Sequence, residues 1–387
     1  GWTGYHGGPM TTPPHHVQGL ANDEVIADWP AISDADIAWL QSRFPALAGP
    51  TTLLWHSPRP FSAAALVQGR DARFFIKRHH RSVRDAAVLT EEHHFIAHLA
   101  AAGLPVAQVL DDGEGATAVE HGDWTFEVHA EGSGEDVYRD TPSWTPPRHA
   151  SHARQAGRML AQLHNASAGF HAPQRATHLL VARDDLIRAQ DPIALLKAQL
   201  PERPALADYL AHTAWEADLQ RAILPWHAGL AQRLADQPRL WGHNDWHVSN
   251  LLWHLQEGQP AISTVLDFGL ASPTSALFDL ATAIERNAIA WLELPRGADA
   301  VRLDIALALI DGYRDVRALP ADQVRLLADL LPVVHLDFAL SEVEYFHGIT
   351  GSPANADVAY RTFLLGHADW FGSAAGQALL ATLRAAA

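Results

Sequence analysis

The sequence predicts an α+β protein of two lobes: a small lobe with a five-stranded antiparallel sheet and one main helix, and a larger, mostly helical lobe. Short apolar and β-branched runs, separated by turn residues, fill the chain from about residue 51 to 128. One segment among them, Val83 to Ala102, repeats apolar residues at helical spacing. Helical spacing dominates from about residue 150 onward. A chain of 387 residues is long enough for both cores.

The composition is that of a globular protein and narrows its partners. Hydrophobic residues make up 48% of the chain and charged residues 19%. The formal net charge of -16 argues against nucleic acids and anionic membranes, since both attract basic surfaces. It is compatible with an amine-bearing substrate. The absence of Cys agrees with a cytoplasmic protein, and no apolar run approaches the length of a membrane span.

The expected organisation divides the chain at residues 30 and 130. Residues 1–30 are rich in Pro, Gly and His and are expected to be mobile. Residues 31–130 form the small lobe and residues 131–387 the large lobe. The chain begins with Gly and has no apolar signal-peptide core, so Met10 is a candidate native start.

The histidines show no metal-ligand pattern in the sequence. The chain has 24 of them, and pairs occur at His15–His16, His79–His80 and His93–His94. None of these pairs has the spacing to further ligands that is typical of zinc sites. We therefore expect solvated histidines.

The small lobe is expected to open with a helix from Ser33 to Phe44. Ser33 is a good N-cap, and Ile37 and Leu40 recur on one face. Strands follow, with a hairpin turn at Gly69–Ala72. The predicted strands are Thr51–His56, Ala63–Gln68, Arg73–Arg78, Val106–Leu110, Ala116–Glu120 and Trp124–Val128.

Lys77 ends an apolar strand, and a buried charge without a partner would be costly. The following helix places Glu92 on the same face as Val88 and Phe95. We therefore expect Lys77 to pair with Glu92. Glu91 lies about 100° away around the helix and is the alternative.

The large lobe is expected to be a series of helices. The first ends in Leu163-His164, and we expect His164 to serve in packing. A long helix from Pro320 to Phe346 should kink at Pro332. The other predicted helices are Ala150–Ser167, most of Tyr209–Gln237, Ala276–Trp291, Val301–Tyr313, Ala359–Trp370 and Ser373–Ala386.

The stretch from Trp241 to Gly269 holds the most specific pattern. An H-x-D-x-x-x-x-N loop with Asp245 and Asn250 is followed by a short strand, a turn at 257–260 and an apolar run that ends in Asp267-Phe268-Gly269. Phosphoryl transfer needs one carboxylate to accept a hydroxyl proton, and an amide and a second carboxylate to hold Mg²⁺. A loop, a hairpin and a second loop would bring these groups to one end of a strand pair.

This stretch resembles the aminoglycoside phosphotransferase and choline kinase branch of the protein-kinase-like superfamily. The resemblance extends to Phe278-Asp279-Leu280-Ala281 and implies a bilobal protein-kinase-like fold. It also implies that Asp245 is the base, that Asn250 and Asp267 are Mg²⁺ ligands and that Asp279 braces the catalytic loop. His243 is expected to have a structural role. The chain departs from the family at Asn244, where Gly is usual, and this should alter the loop's backbone freedom.

In the small lobe the resemblance implies an ATP site. Phe74-Phe75-Ile76-Lys77 resembles the V-A-I-K strand of kinases, so Lys77, oriented by Glu92, should contact the phosphates of ATP. Ser57 and Ser62 flank a loop that could cradle phosphate, although it lacks G-x-G-x-x-G. The backbone of Val128 and Ala130, in the lobe connection, is expected to bind adenine.

In the large lobe the resemblance implies a substrate pocket built by the C-terminal helices. Asp337, Glu342 and Glu344 lie among aromatic residues and could hold an amine by charge and cation–π contact. The alternative is an ordinary amphipathic helix with its acids in water, and the pattern slightly favours this alternative.

The sequence thus predicts a kinase that transfers the γ-phosphate of ATP to a hydroxyl of a small molecule, such as an amino alcohol, a sugar or an antibiotic. Two alternatives remain: a bacterial protein Ser/Thr kinase of the same branch, and a nucleotide-binding pseudokinase with a regulatory role. The acceptor, the preference for ATP over GTP and the oligomeric state are left open.

Overall fold

The structure is a computed structural model that describes residues 15–16, 24–25, 28–57, 61–141, 144–256 and 259–387. Most of the segment expected to be mobile, including Met10, lies outside the described residues. The chain forms two compact units. The first holds the described residues of Gly1–Val17, Asp23–Ser143 and Ser249–Asp267, and the second those of Trp144–Val248 and Phe268–Ala387. The division predicted at residue 130 stays a prediction.

The first unit contains the predicted five-stranded antiparallel sheet. Its order is β3-β4-β5-β7-β6. The strands are β3 (Thr52–Ser57), β4 (Ala63–Gln68), β5 (Arg73–His80), β6 (Val119–His121) and β7 (Trp124–Ala130). A separate pair joins β1 (His15–His16) to β2 (Glu24–Val25). The prediction of a strand at Val106–Leu110 is wrong: that segment forms isolated bridges from Val106 to Val265 and from Val109 to His129.

The two faces of the sheet have different neighbours within the first unit. One face packs its apolar residues against α1 (Asp34–Arg43) and the 3-10 turn Pro45–Leu47. Ser33 caps α1 in a capping box with Asp36, as its sequence predicts. The other face packs against Leu252 and Leu266 of a hairpin formed by β9 (Leu251–Gln256) and β10 (Gln259–Val265). The predicted turn at 257–260 falls partly outside the described residues.

The main helix of the first unit is α2 (Ala86–Ala101). Asp85 is its N-cap and accepts a hydrogen bond from Val88 N at 2.8 Å. One side of this helix is buried and includes Glu92 and His93.

The second unit is mostly helical, as predicted. The strands β8 (Leu240–Gly242) and β11 (Ser272–Thr274) form a short antiparallel pair, and β8 ends directly before His243. The helices are α3 (Ala150–Ser167), α4 (Asp185–Arg188), α5 (Pro192–Gln199), α6 (Pro204–Leu210), α7 (Trp215–Ala222), α8 (Leu224–His227), α9 (Leu230–Ala235), α10 (Ala276–Ala288), α11 (Leu303–Arg314), α12 (Ala321–Leu330), α13 (Leu336–Gly348), α14 (Pro353–Val358), α15 (His367–Trp370) and α16 (Ala374–Ala385). Shorter 3-10 turns are Leu200–Glu202, Val248–Asn250 and Trp291–Ala300, and Ala359–Gly366 is a π-helical turn.

Helices α3 and α11 pack at very short range because each has a glycine that faces the backbone of the other helix. A Cβ on Gly157 would lie 2.2 Å from the carbonyl oxygen of Leu309, and one on Gly312 would lie 2.0 Å from that of Arg154. No other residue type fits at such separations. This close packing sets the positions of His164, near the end of α3, and Tyr313, near the end of α11.

The predicted single helix from Pro320 to Phe346 is two helices, α12 and α13. Pro332 lies in the turn between them. A proline has no N–H to continue the helical ladder and its ring clashes with the preceding turn, so the helix breaks instead of kinking. No helix in the described parts of the chain combines the length and the apolar character needed to cross a membrane.

Candidate active site

The first unit places Lys77 against Asp267. Lys77 Nζ and Asp267 Oδ1 are 2.9 Å apart, although the residues are 190 positions apart in the chain. The side chains are only 10% and 6% exposed, so the attraction between their charges is screened less than it would be at the surface. Two residues that the sequence assigned to one phosphate and metal site therefore meet.

Asn250 and Asp267 lie at adjoining ends of the β9–β10 hairpin. Leu251 pairs with Val265, and Leu266 N donates a hydrogen bond to the carbonyl oxygen of Asn250 at 2.9 Å. Asp267 has a φ of 60°, a strained conformation for a residue with a Cβ and one that concentrates at functional sites. The hairpin thus supplies one amide and one carboxylate, the oxygen donors that suit Mg²⁺.

Ser57 shares a row of the sheet with Lys77. Ser57 pairs with Ala64, and Ala64 pairs with Lys77, so the three side chains point to the same face. Ser62 is buried just before β4. Residues 58–60 of the intervening loop, Arg59 included, lie outside the described residues.

Glu92 is buried on α2, as the helical spacing predicts. Lys77 forms an ion pair with Asp267, and its pairing with Glu92 stays a prediction. Helical spacing gives the face on which Glu92 lies, but it does not give the strand end or loop that approaches that face.

Val128 and Ala130 use backbone groups within the protein. The carbonyl of Val128 accepts from Leu110 N, and Ala130 N donates to the carbonyl of Gln108, both at 2.8 Å. The side chain of Val128 is buried in the core on the α1 side of the sheet. The adenine contact predicted here stays a prediction, and it cannot use these two backbone groups without displacing the 108–110 segment.

In the second unit Asp279 of α10 holds the loop that carries His243, Asn244 and Asp245. His243 N donates to Asp279 Oδ2 and Asn244 N donates to Oδ1, each at 2.9 Å. His164 Nε2 lies 2.8 Å from the same Oδ2, and His164 Nδ1 lies 2.7 Å from the hydroxyl of Tyr313. Burial alone would raise the pKa of Asp279, but the hydrogen bond and charge of His164, with help from the loop, bring it below its ordinary value.

His243 connects this brace to Asp245. Its ring Nδ1 accepts a hydrogen bond from Asp245 N at 3.1 Å. The ring is fully buried and packs edge-on against Trp246 and Phe268, with centroid distances of 5.1 and 4.9 Å. The structural role that the resemblance implies for His243 stays a prediction.

Asn244 keeps the backbone conformation that a glycine would give. Its φ is 62°, a region that Asn tolerates better than most residues. Its side-chain amide donates to the carbonyl of Ser272 at 3.2 Å, and its Oδ1 accepts from the hydroxyl of Thr274 at 2.9 Å. Asn in place of the usual Gly at position 244 therefore adds side-chain hydrogen bonds between this loop and β11.

Asp245 forms an ion pair with Arg286, which lies on α10 seven residues after Asp279. The guanidinium of Arg286 also lies 4.8 Å from the ring centroid of Trp144 and 5.6 Å from that of Phe338. Burial lowers the pKa of Arg286 to about 9, so it remains charged at neutral pH. The ion pair therefore places a positive charge beside the carboxylate of Asp245.

Two further carboxyl groups, those of Glu285 and Glu342, lack hydrogen-bond partners for some or all of their oxygens within the part of the chain that the structure describes. Glu285 is next to Arg286 in the sequence, and Glu342 interacts electrostatically with Arg286. Glu342 of α13 is fully buried, and neither of its oxygens has a hydrogen-bond partner among the described residues. Glu285 precedes Arg286, and its Oε1 is 3.4 Å from His367 Nδ1 without the geometry of a hydrogen bond. Burial raises the pKa of Glu285 to about 8 and that of Glu342 well above its ordinary value.

The expectation that the acids of α13 face water is wrong for Asp337 and Glu342, which are buried. It also does not describe Glu344, which pairs with Arg203 at 2.7 Å. The helix packs against α6, α14 and the π-helical turn, so little of it is left for solvent.

Sequence reasoning missed Arg286 and Glu285 and assigned His164 only a packing role. The signal for Arg286 was its place seven residues after Asp279, which is two helical turns and therefore the same face. The polar residues of α10 are also buried, which marks them as functional candidates, but only the folded structure shows this burial.

Comparisons with known proteins identify the family of this chain. The sequence model of the phosphotransferase enzyme family matches residues 61–319. No curated protein sequence matches the chain.

Solved structures with a similar fold include three kinase-like proteins. An amicoumacin kinase, solved with AMP-PNP, Ca²⁺ and its ligand, has a TM-score of 0.57 at 13% identity and covers 87% of this chain and 92% of its own. A microcompartment-associated aminopropanol kinase has a TM-score of 0.53 at 19% identity, with 89% and 100% covered. An aminoglycoside phosphotransferase from Alicyclobacillus acidocaldarius has a TM-score of 0.51 at 18% identity, with 92% and 97% covered. At these identities the likeness concerns the fold, which is the predicted kinase-like one.

Proposed function

The chain belongs to the phosphotransferase enzyme family, and we propose that it transfers the γ-phosphate of ATP to a hydroxyl of a small, amine-bearing molecule. The observation that carries this proposal is the ion pair of Lys77 with Asp267, next to Asn250 on the same hairpin. A second observation supports it: Asp245 follows a loop that Asp279 holds in place.

In the proposed reaction the bond from the γ-phosphorus to ADP breaks and a bond to the acceptor oxygen forms. Asp245 accepts the proton of the acceptor hydroxyl. Lys77 binds phosphate oxygens, and it can do so by exchanging one of its contacts with Asp267 for a contact with the nucleotide. Ser57 and Ser62 are proposed to line the phosphate loop.

Asn250 and Asp267 are the residues that would hold Mg²⁺, since an amide and a carboxylate oxygen match its preference. When bound, the ion supplies positive charge to the phosphates. Asp267 would then exchange part of its interaction with Lys77 for the ion. We propose the cytoplasm as the location of the reaction.

The acid pair Glu285 and Glu342 supports an amine-bearing acceptor. Two buried carboxyl groups without full hydrogen bonding are costly unless something compensates them. An ammonium group would donate hydrogen bonds and favour their ionised forms. The similar aminopropanol kinase, whose name gives an amino alcohol as its acceptor, agrees with this class.

The proposal is tested by measuring ADP release with Mg-ATP and a panel of amino alcohols, amino sugars and aminoglycosides, with uncharged sugars for comparison. We expect turnover with an amine-bearing alcohol and a loss of about 100-fold or more in kcat for Asp245→Asn. Asp236→Asn, at an exposed acid, is the matched control and should retain activity. Unchanged turnover in Asp245→Asn would contradict the proposed mechanism, and exclusive use of uncharged sugars would contradict the acceptor class.

A further inference from the structure

Three histidines converge on one buried glutamate in the first unit. His79 Nε2 lies 2.7 Å from Glu127 Oε2, and His93 Nε2 lies 3.1 Å from Glu127 Oε1. His129 Nε2 also contacts Oε1. The expectation of solvated histidines is therefore wrong for these three, whose side chains are at most 14% exposed.

The fold assembles this cluster from three elements. His79 belongs to β5 and Glu127 and His129 belong to β7, and alternation along each strand places them on the face that carries Lys77. His93 comes from the buried side of α2. Because the cluster draws on β5, α2 and β7, which are far apart in the chain, no single short spacing could reveal all four residues.

We propose that His93, Glu127 and His129, with His79 as a fourth donor, bind a divalent transition-metal ion of the zinc class. One ligand atom from each of the first three residues lies within 4.8 Å of the others. Two ligand atoms of a tetrahedral zinc ion are about 3.3 Å apart, so coordination would bring the more distant pair together by up to about 1.5 Å and move the rings slightly out of direct contact with Glu127.

The chemistry of the donors fits this class of metal. Imidazole nitrogens with one carboxylate suit zinc and its neighbours, whereas Mg²⁺ prefers an all-oxygen set. The site is thus distinct in chemistry from Asn250 and Asp267. The Glu127 carboxylate gives the cluster a negative charge, which a divalent cation would compensate.

His93 also has the outer contact that metal-binding histidines usually have. Its Nδ1 lies 2.7 Å from the hydroxyl of Thr117. Such a contact fixes the ring orientation and directs the other nitrogen toward the ion. In the metal-bound form Nδ1–H would donate to Thr117, and Nε2 would give its lone pair to the ion.

The competing explanation is a metal-free network in which the three rings donate to Glu127. The metal site predicts that Zn²⁺ binds at a defined stoichiometry, whereas the metal-free network does not. Chelator-treated protein is therefore titrated with Zn²⁺ by calorimetry in excess Mg²⁺, which occupies the oxygen site. Co²⁺ absorption in the visible range reports the nitrogen coordination. We expect one site that is lost, or weakened at least about tenfold, in His93→Ala.

His94→Ala is the matched control, because His94 is the next residue of α2 and is exposed. The His94→Ala variant should retain Zn²⁺ binding. This result would show that binding depends on the cluster and not on just any of the 24 histidines. His129→Gln keeps a polar side chain and should also lose the site. Thermal unfolding in EDTA verifies that each variant is folded. Equal Zn²⁺ binding by wild type, His93→Ala and His129→Gln, or no binding by the wild type, would overturn the proposal.

Discussion

Two sets of buried carboxylates in the second unit differ in how their charge is compensated. Asp279 is fully buried and receives hydrogen bonds from His243 N and Asn244 N, with His164 at 2.8 Å. Glu342 is equally buried, yet its oxygens have no hydrogen-bond partner in the described part of the chain. The pKa of Asp279 is lowered and that of Glu342 is raised.

The presence or absence of hydrogen-bond donors distinguishes an acid that stabilises the fold from an acid that can bind a ligand. A carboxylate surrounded by donors is ionised and fixes whatever donates to it. A buried acid without donors stays protonated until a cation arrives. Asp279 therefore holds the catalytic loop, whereas Glu342 and Glu285 can respond to a positively charged acceptor.

The largest effect is expected from removing the satisfied acid. Asp279→Ala leaves two buried backbone N–H groups and His164 without their acceptor, and should lower the free energy of unfolding by about 3–5 kcal/mol. Urea unfolding measures this. Asp315→Ala, at an acid on the surface that pairs with Arg154 and Arg158, is the control and should cost about 1 kcal/mol or less. Equal losses in the two variants would remove the distinction between the acids.

A smaller but more specific effect is expected at Glu342. Glu342→Gln replaces a buried acid, whose pKa burial raises well above its ordinary value, with an amide of similar shape, so stability should change by about 1 kcal/mol or less. Loss of a charged hydrogen bond should raise the KM for the amine-bearing acceptor by about 10- to 100-fold. The KM for ATP should not change.

Glu344→Gln is the matched control for Glu342→Gln, because Glu344 lies on the same helix and pairs with Arg203 at 2.7 Å. It should leave the KM for the acceptor near the wild-type value. A Glu342→Gln enzyme with normal acceptor KM and reduced stability would place Glu342 with Asp279, as an acid that serves only the fold.

The third effect is a pH dependence of stability carried by Glu285. Burial raises its folded pKa from 4.5 to about 8, so the unfolded chain loses this proton first as pH rises. The folded state then binds more protons than the unfolded state, and stability falls between about pH 4.5 and pH 8. Glu285→Gln should remove this part of the slope when urea unfolding is compared at about pH 5 and pH 7.5.

The same shift gives a second measurement. An ammonium acceptor favours ionised Glu285, so binding near pH 7 should release protons, and calorimetry in buffers of different ionisation enthalpy detects this release. The neighbouring His367, Arg286 and Glu342 are present in both proteins, so the difference between wild type and Glu285→Gln isolates Glu285. Identical proton release in the two proteins would show that Glu285 does not sense the acceptor.

Much of the fold could be read from local patterns. The Ser33 N-cap and the 3.6-residue periodicity gave α1 and α2, and the alternating apolar runs gave most of the sheet. The Val106–Leu110 run was misassigned because an apolar run can also pack as an irregular segment that forms only single bridges. The Pro332 break was underestimated because the outcome depends on whether neighbouring helices support a bent helix or two separate ones.

Short motifs in the sequence were enough to identify the family and the kinase-like fold. They also identified the candidate site residues, which are Lys77, Asp245, Asn250, Asp267 and Asp279. They could do so because the spacing of these groups follows from the chemistry of phosphoryl transfer. Only the tertiary structure decided the partners: Asp267 for Lys77, Arg286 for Asp245, and three histidines for Glu127. Ion pairing, burial and pKa depend on distances between segments far apart in the chain, and local spacing carries no information about them.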